Sequence, residues 1–300
     1  MIHFSILIST KNRYNDLFLT LQNTRHLFSE KVKCVVFDDG STDGTFEKVT
    51  AHFPEIEIKR NEISKGYIYC RNKMLNETNS DYAISLDDDA HFLTENPFDK
   101  ILNYFNENPK CGLLALRIFW GLEEPKNQLS NEIPSRVQSY VGCGHVWRMT
   151  SWRAIPNYPE WFQFYGEENF ASLQLFKKNW EVHYLPEVLV HHRVDLKTRT
   201  KKNNEFSFRY RRSICSGWFL ILLFYPAIKI PRIIVYSIYI QVKTKIFKGN
   251  FKAIFPLVLA TFDVFYNIPN LIKNKATLTR EEYEYYSELN EAKIYWKPEN

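Results

Sequence analysis

What most constrains this 300-residue chain is a rhythm of apolar runs and polar stops. Residues 3–9 (HFSILIS), 32–37 (VKCVVF), 56–59, 82–86 (YAISL) and 112–119 are short, apolar and rich in β-branched side chains, so they read as strands. Between them, residues 16–28, 42–53, 65–77 and 98–106 have the pattern of helices. Strand and helix alternating in this way predict βαβ units and an α/β fold with a mostly parallel sheet flanked by helices. In such sheets ligands bind beyond the carboxyl ends of the strands. The polar clusters fall there: residues 9–13 after the first strand, 38–41 after the second and 87–89 after the fourth. Farther on, 121–136 has loop composition, and 138–149 regains strand character around Gly142-Cys143-Gly144. Residues 169–179 are a helix candidate and 182–193 hold a last apolar run.

The clusters suit a nucleoside diphosphate, but not through a backbone cradle. No GxGxxG follows the first strand and no GxxxxGK[ST] occurs, which argues against a dinucleotide dehydrogenase or a P-loop NTPase. The alternative is a divalent cation held by carboxylates. Asp87-Asp88-Asp89 fits that role, because three adjacent acids repel one another unless a cation sits among them. Asp87 and Asp89, two apart on an extended chain, point to the same side. By itself the tripeptide reads equally as a solvated acidic turn. The run from Asp38 to Thr45 can supply a carboxylate to the imide N–H of uracil or thymine, or serve as ordinary turn chemistry. Gly166-Glu167-Glu168 offers a general base, or two acids complementing a helix dipole. His191-His192 offers a metal ligand, or a structural histidine.

Charge divides the chain. From Arg193 to Lys275 there are sixteen Lys and Arg against three acids, a net +13, which leaves −8 for the rest of a chain totalling +5. A basic, apolar segment attached to an acidic domain points to an anionic surface as partner. The longest apolar run, 214–228, contains Pro226 and falls short of the roughly 20 residues of a spanning helix. The opening MIHFSILISTKNR is too polar after Ser9 for a signal peptide, so a cytoplasmic chain is expected. Five scattered cysteines without a CxxC pair predict buried thiols in a reducing compartment.

Taken in order, ILISTKNR, VVFDDGSTDGT, Lys65-Gly66 through Arg71-Asn72, ISLDDDA, YGEEN and LPEVLVHH resemble the inverting glycosyltransferases of family 2, with their GT-A fold, over about residues 4–193. The resemblance implies a catalytic domain over 1–195, a basic linker over 196–212 and a helical membrane-associating appendage over 213–300. It implies that Thr10, Asn12, Arg13, Asp39, Arg71, Asp87 and Asp88 meet the donor, a UDP- or dTDP-sugar. Asp89 and His192 would hold Mn²⁺ or Mg²⁺. Glu168 stands where the family usually has an aspartate base, which leaves Glu168 and Glu167 both open for that role. Gly142, Gly144 and Trp161 would lie near the acceptor. Arg211-Arg212 followed by apolar, basic segments also resembles members that build bacterial surface polysaccharides. That implies a glycan or lipid-linked acceptor and a peripheral position on the inner face of the cell membrane. Packing of the apolar helices on the catalytic domain, or on a second copy in a homo-oligomer, is the alternative. Two rival classes stand beside this reading: a sugar nucleotidyltransferase, and a nucleic-acid-binding protein, against which the acidic N-terminal part and the many Ile, Leu and Phe among the basic residues argue.

Overall fold

The computed structural model describes residues 2–194, 203–291 and 293–298; part of the expected linker, with Lys197, Arg199, Lys201 and Lys202, lies outside them. β1 (Phe4–Thr10), β2 (Val32–Asp38), β3 (Glu57–Arg60) and β4 (Tyr82–Asp87) form the parallel half of the sheet. Beyond β4 comes β8 (Gly144–Arg148), antiparallel both to β4 and to β6 (Cys111–Trp120). β6 runs parallel to β9 (Glu181–His192), while β5 (Ala90–Phe92) and β7 (Ser135–Val137) pair antiparallel with β9. The strand order is β3-β2-β1-β4-β8-β6-β9-β5, with β7 on β9. The sequence reading missed the short β5 and β7, and the strand expected over 138–149 is confined to β8.

Period-two alternation sets the layers. Phe4, Ile6 and Ile8 of β1 face α1 (Tyr14–Thr24), α2 (Thr45–His52) and α4 (Pro97–Glu107), packing with Leu17, Leu21, Val49, Ile101 and Phe105. Leu7 faces the other side, where Ile68 and Met74 of α3 (Tyr67–Glu77) and Phe170 and Leu173 of α6 (Glu167–Lys177) form a second core. Local signals fix the helix ends. α4 starts on Pro97, whose missing N–H is no loss in a first turn. α2 stops just ahead of Pro54.

After the single-turn α5 (Met149–Trp152) and α6, the chain continues in α7 (Asn203–Phe224), α8 (Ile230–Gln241), α9 (Ile254–Tyr266), α10 (Ile268–Lys273) and α11 (Arg280–Glu288). Here the expected boundary at residue 213 needs correction. Ile214, Cys215, Trp218, Phe219, Leu223 and Phe224 of α7 are buried in the same core as Phe162 and Phe170. α7 is therefore a wall of the α/β domain, because its apolar stripe finds its cover on α6. Gly166 at the start of α6 has φ +86°, and a Cβ there would lie 2.8 Å from Ser216 of α7, so the two helices approach as closely as glycine allows. Among the described residues no helix is long and apolar enough to cross a membrane.

The described residues after α10 are stitched to the sheet. α11 opens with a capping box between Thr279 and Glu282. Farther on, the Gln138 N–H donates to Asn290 O at 2.9 Å and the Trp296 N–H to Ile118 O at 2.6 Å, with the Arg117 guanidinium over the Trp296 ring. All five cysteines are free and buried, as their scatter predicts.

Candidate active site

The carboxyl ends of β2 and β4 bring two acidic turns to one rim, the end of β1 adds the basic turn of Lys11 and Arg13, and β9 delivers a histidine to it. Asp87 and Asp89 converge on His192: its Nε2 lies 2.9 Å from Asp89 Oδ1 and 3.9 Å from Asp87 Oδ2. Asp88 points the other way, as strand alternation requires, and accepts the Thr10 hydroxyl at 2.8 Å. Arg13 caps the cluster, with Nη1 2.8 Å from Asp88 Oδ1 and Nη2 2.6 Å from Asp89 Oδ2. The mutual repulsion of three consecutive acids is thus relieved by the protein's own cations.

Each environment leaves its mark on ionisation. Burial, reinforced by Asp89, pushes Asp88 up to about 7 against the pull of Arg13. Burial also acts to raise Asp89, but His192 and Arg13 outweigh it and hold that carboxyl well below the usual range. Burial acts to lower His192, yet Cys143 and Asp89 beside it push it up to about 11. Neighbouring acids of one tripeptide are thus driven apart by burial and by their cationic partners.

Two expected donor contacts are already engaged within the protein. Asp39 accepts from Asn61 Nδ2 (2.8 Å), Ser64 Oγ (2.6 Å), Lys65 N (2.8 Å) and Gly66 N (2.9 Å). A carboxylate has about four acceptor positions, so all are filled. Burial would raise Asp39, but those four bonds hold it below the ordinary value. Asp39 therefore pins the 61–66 loop, and the Thr10 hydroxyl is spent on Asp88. Asn12, at φ +53°, likewise ties two loops together: its N–H donates to Ser41 Oγ and its Oδ1 accepts from Thr42 N.

Arg71, on α3, joins this rim to the acids of α6. Its Nη2 lies 2.7 Å from Asp87 Oδ1 and donates to Gly142 O at 3.0 Å, while Nη1 lies 3.4 Å from Glu167 Oε1. Glu167 is buried and also accepts the Tyr67 hydroxyl at 2.8 Å. Glu168 is half-buried and stands over Gly142, where a Cβ would come within 2.6 Å of its Oε1. Burial and the adjacent Glu167 hold the Glu168 carboxyl well above the ordinary range. The first glutamate is locked and the second is poised. Tyr67 belonged to the segment singled out in sequence, but only the fold shows that it holds Glu167.

Other positions singled out in sequence fall as follows. Gly144 does not line the cleft: its open side faces Ile118 and Val190 in the core. Trp161 is half-buried against Phe162 and Phe219. His191 turns away from the rim: its Nε2–H donates to Gly121 O, and its ring meets His91 edge-on. On this rim the donor atoms of Asp87, Cys143 and His192 lie within 4.8 Å of one another, while Asp89 is taken up by Arg13 and His192; away from it His91, Glu124 and His191 form a second such group. Of these donors the carboxylates suit Mn²⁺ or Mg²⁺, whereas the imidazole and thiol suit a softer cation such as Zn²⁺. The buried Nδ1 of His192 has no hydrogen-bond partner among the described residues, and the Trp120 ring stands edge-on to that imidazole at 5.7 Å. In sequence Cys143 was seen only between Gly142 and Gly144 and Trp120 was not singled out, since nothing local marks either as a neighbour of a histidine far along the chain.

Comparisons with known proteins follow the same outline. The family model described as Glycosyl transferase family 2 matches residues 5–182. A Haemophilus influenzae protein named "Uncharacterized glycosyltransferase" is 26% identical over 110 residues, 37% of this chain and 37% of that protein. The fold is similar to that of GalNAc-T7 with UDP, GalNAc and Mn²⁺ (TM-score 0.60, 14% identity, 76% of this chain and 49% of that one). It is similar to S. aureus TarS (TM-score 0.56, 16% identity, 74% and 40%). It is also similar to the mannosyltransferase PcManGT from Pyrobaculum calidifontis in complex with GDP-Man and Mn²⁺ (TM-score 0.55, 13% identity, 88% and 74%). The chain spans just over a third of the length of the curated relative, and about half of GalNAc-T7.

Proposed function

The chain belongs to glycosyl transferase family 2, and on that premise we propose that it transfers a sugar from a nucleoside diphosphate donor to an acceptor hydroxyl, with inversion. The observation that carries this reading is the continuous line of contacts from Asp89 and His192 through Asp87 and Arg71 to the Glu167-Glu168 pair. A diphosphate site and a base are thereby held on one rim.

The acceptor oxygen attacks the anomeric carbon as the bond from that carbon to the departing diphosphate oxygen breaks. Glu168 receives the hydroxyl proton, a contribution of about 10²–10⁴ in rate. Glu167, fixed by Tyr67 and Arg71, positions its neighbour. Asp87, His192 and Cys143, with Asp89 beside them, would hold a divalent cation. Such a cation, when bound, neutralises charge on the leaving diphosphate. The donor is a UDP- or dTDP-sugar carrying a hexosyl or deoxyhexosyl group; solved relatives of the same fold carry UDP or GDP-Man. The acceptor is a glycan or lipid-linked glycan of bacterial surface polysaccharide, met at the inner face of the cell membrane.

The test is a thermal-shift panel of sugar nucleotides with and without Mn²⁺, followed by product analysis. A donor that raises the melting temperature only with the cation, and release of nucleoside diphosphate in turnover, support the reading. Release of pyrophosphate would instead establish a nucleotidyltransferase. Full activity of Glu168→Gln would remove the base assignment, and full activity in excess EDTA the cation.

A further inference from the structure

We infer that the outward side of α8, α9 and the turn between them is a docking face for an anionic lipid bilayer. This deepens the peripheral-membrane part of the proposed function and moves it off α7, whose apolar side chains are core.

α9 is apolar on all sides, a pattern that demands cover all round. One stripe has it: Pro256, Ala260 and Asp263 are buried on α7, and Asp263 accepts from Arg211 Nε at 2.6 Å and from Cys215 Sγ at 3.0 Å. The opposite stripe has none. Phe255, Val258, Phe262 and Phe265, at helical spacing, are 68%, 47%, 63% and 64% exposed. Phe247 and Phe251 on the preceding turn, and Tyr236 and Tyr239 of α8, are exposed as well. So large an aromatic face is not a solvent-facing surface at rest.

Charge identifies the occupant. From residue 230 to 275 there are seven Lys and Arg and one carboxylate, Asp263, which is buried against Arg211 and Arg212. Lys243, Lys248, Lys252 and Lys273 are exposed and pair with no carboxylate among the described residues. A two-fold contact with a second copy would set this basic face against itself, with no acid to compensate. Anionic headgroups complement it, with the aromatic rings at the acyl boundary and the lysines reaching outward. The face lies on the surface, since none of its helices is long enough to span. It is also mechanically close to the base. α7, which α9 covers, packs Phe219 against Trp161 at 4.8 Å, six residues ahead of the Glu167-Glu168 pair. An acceptor carried on a lipid would be presented beside that loop.

The experiment is flotation of the full chain with vesicles of phosphatidylcholine alone, or of phosphatidylcholine and phosphatidylglycerol in equal amounts, at low and high salt. Binding to the anionic vesicles only, weakened by salt, is expected. Lys248→Gln and Lys252→Gln should each reduce partitioning about fivefold, and Phe255→Ser with Phe262→Ser should abolish it. All these variants should still show the donor-induced thermal shift of the wild type. If the wild type floats and the variants float equally well, the face is wrong although the membrane reading stands. If the wild type stays unbound and elutes as a dimer that the phenylalanine variants dissociate, a second copy is the occupant and both fail, while sugar transfer to a soluble acceptor remains untouched.

Discussion

Gly142→Ala is a single-methyl test of the poised glutamate. Gly142 is not among the residues with positive φ, so alanine meets no backbone strain there. Its Cβ would stand 2.6 Å from Glu168 Oε1 and 2.9 Å from Arg71 Nη1. Arg71 is buried and held by Asp87, Glu167 and Gly142 O, whereas the Glu168 carboxyl is held by its neighbour Glu167 alone, so Glu168 yields. To regain an ordinary contact of 3.4 Å its carboxylate must retreat by about 0.8 Å. A displacement near 1 Å of a reacting group costs about 10²-fold in rate. The expected outcome is kcat lowered by about 10²-fold, with donor KM and the donor-induced thermal shift changed less than about threefold. The assay is nucleoside diphosphate release at saturating donor, alongside Glu168→Gln. Wild-type kcat in Gly142→Ala, together with a large loss in Glu168→Gln, would show that the glutamate is not held where it must act. An equal loss of donor binding would show that the methyl disturbs Arg71 instead.

Other outcomes follow from the same geometry. Because the folded Glu168 carboxyl sits well above its ordinary value of 4.5, the base form appears only as pH rises, so the acid limb of kcat/KM should lie above the usual carboxylate range and disappear in Glu168→Gln. Asp39→Asn should cost about 1–3 kcal/mol in urea unfolding at neutral pH, since an amide presents a donor to loop groups that are all donors. The wild type should keep the Asp39 contribution above the unfolded value of 3.8 and lose it as pH falls through the lower folded value. Phe219→Ala should cost about 3–5 kcal/mol if α7 is core; a loss under about 1 kcal/mol would restore the separate appendage. Arg71→Met should cost about 3–5 kcal/mol by stranding Asp87 and Glu167, and unaltered stability would refute that ion pairing.

The sequence made the architecture legible because its signals are local. Apolar runs of the right length placed β1, β2, β4, β6 and β9, and the acidic ends of β2 and β4 marked the rim. What was not legible depended on pairing at a distance. β5 is three residues long and exists only because Leu93 and its neighbours bond to β9. Trp218 and Phe219 look alike in sequence whether they meet lipid or Phe162; only the approach of α7 at Gly166 decides. Asp39 was visible as an acid in a turn, but that the 61–66 loop would fill its lone pairs was not. Gly142 and Gly144 looked equivalent, yet the turn at 142–143 breaks the alternation that would send both to one side, so one faces Glu168 and Arg71 and the other the core.

The position of Arg71 has a consequence for how genetics on this enzyme is interpreted. One guanidinium pairs with two acids at once, Asp87 and Glu167, which the proposed function puts on the diphosphate side and beside the proton acceptor. No change at residue 71 can therefore be assigned to donor handling or to acceptor handling alone. Double-mutant cycles pairing it with Asp87 and with Glu167 are the way to apportion what it does.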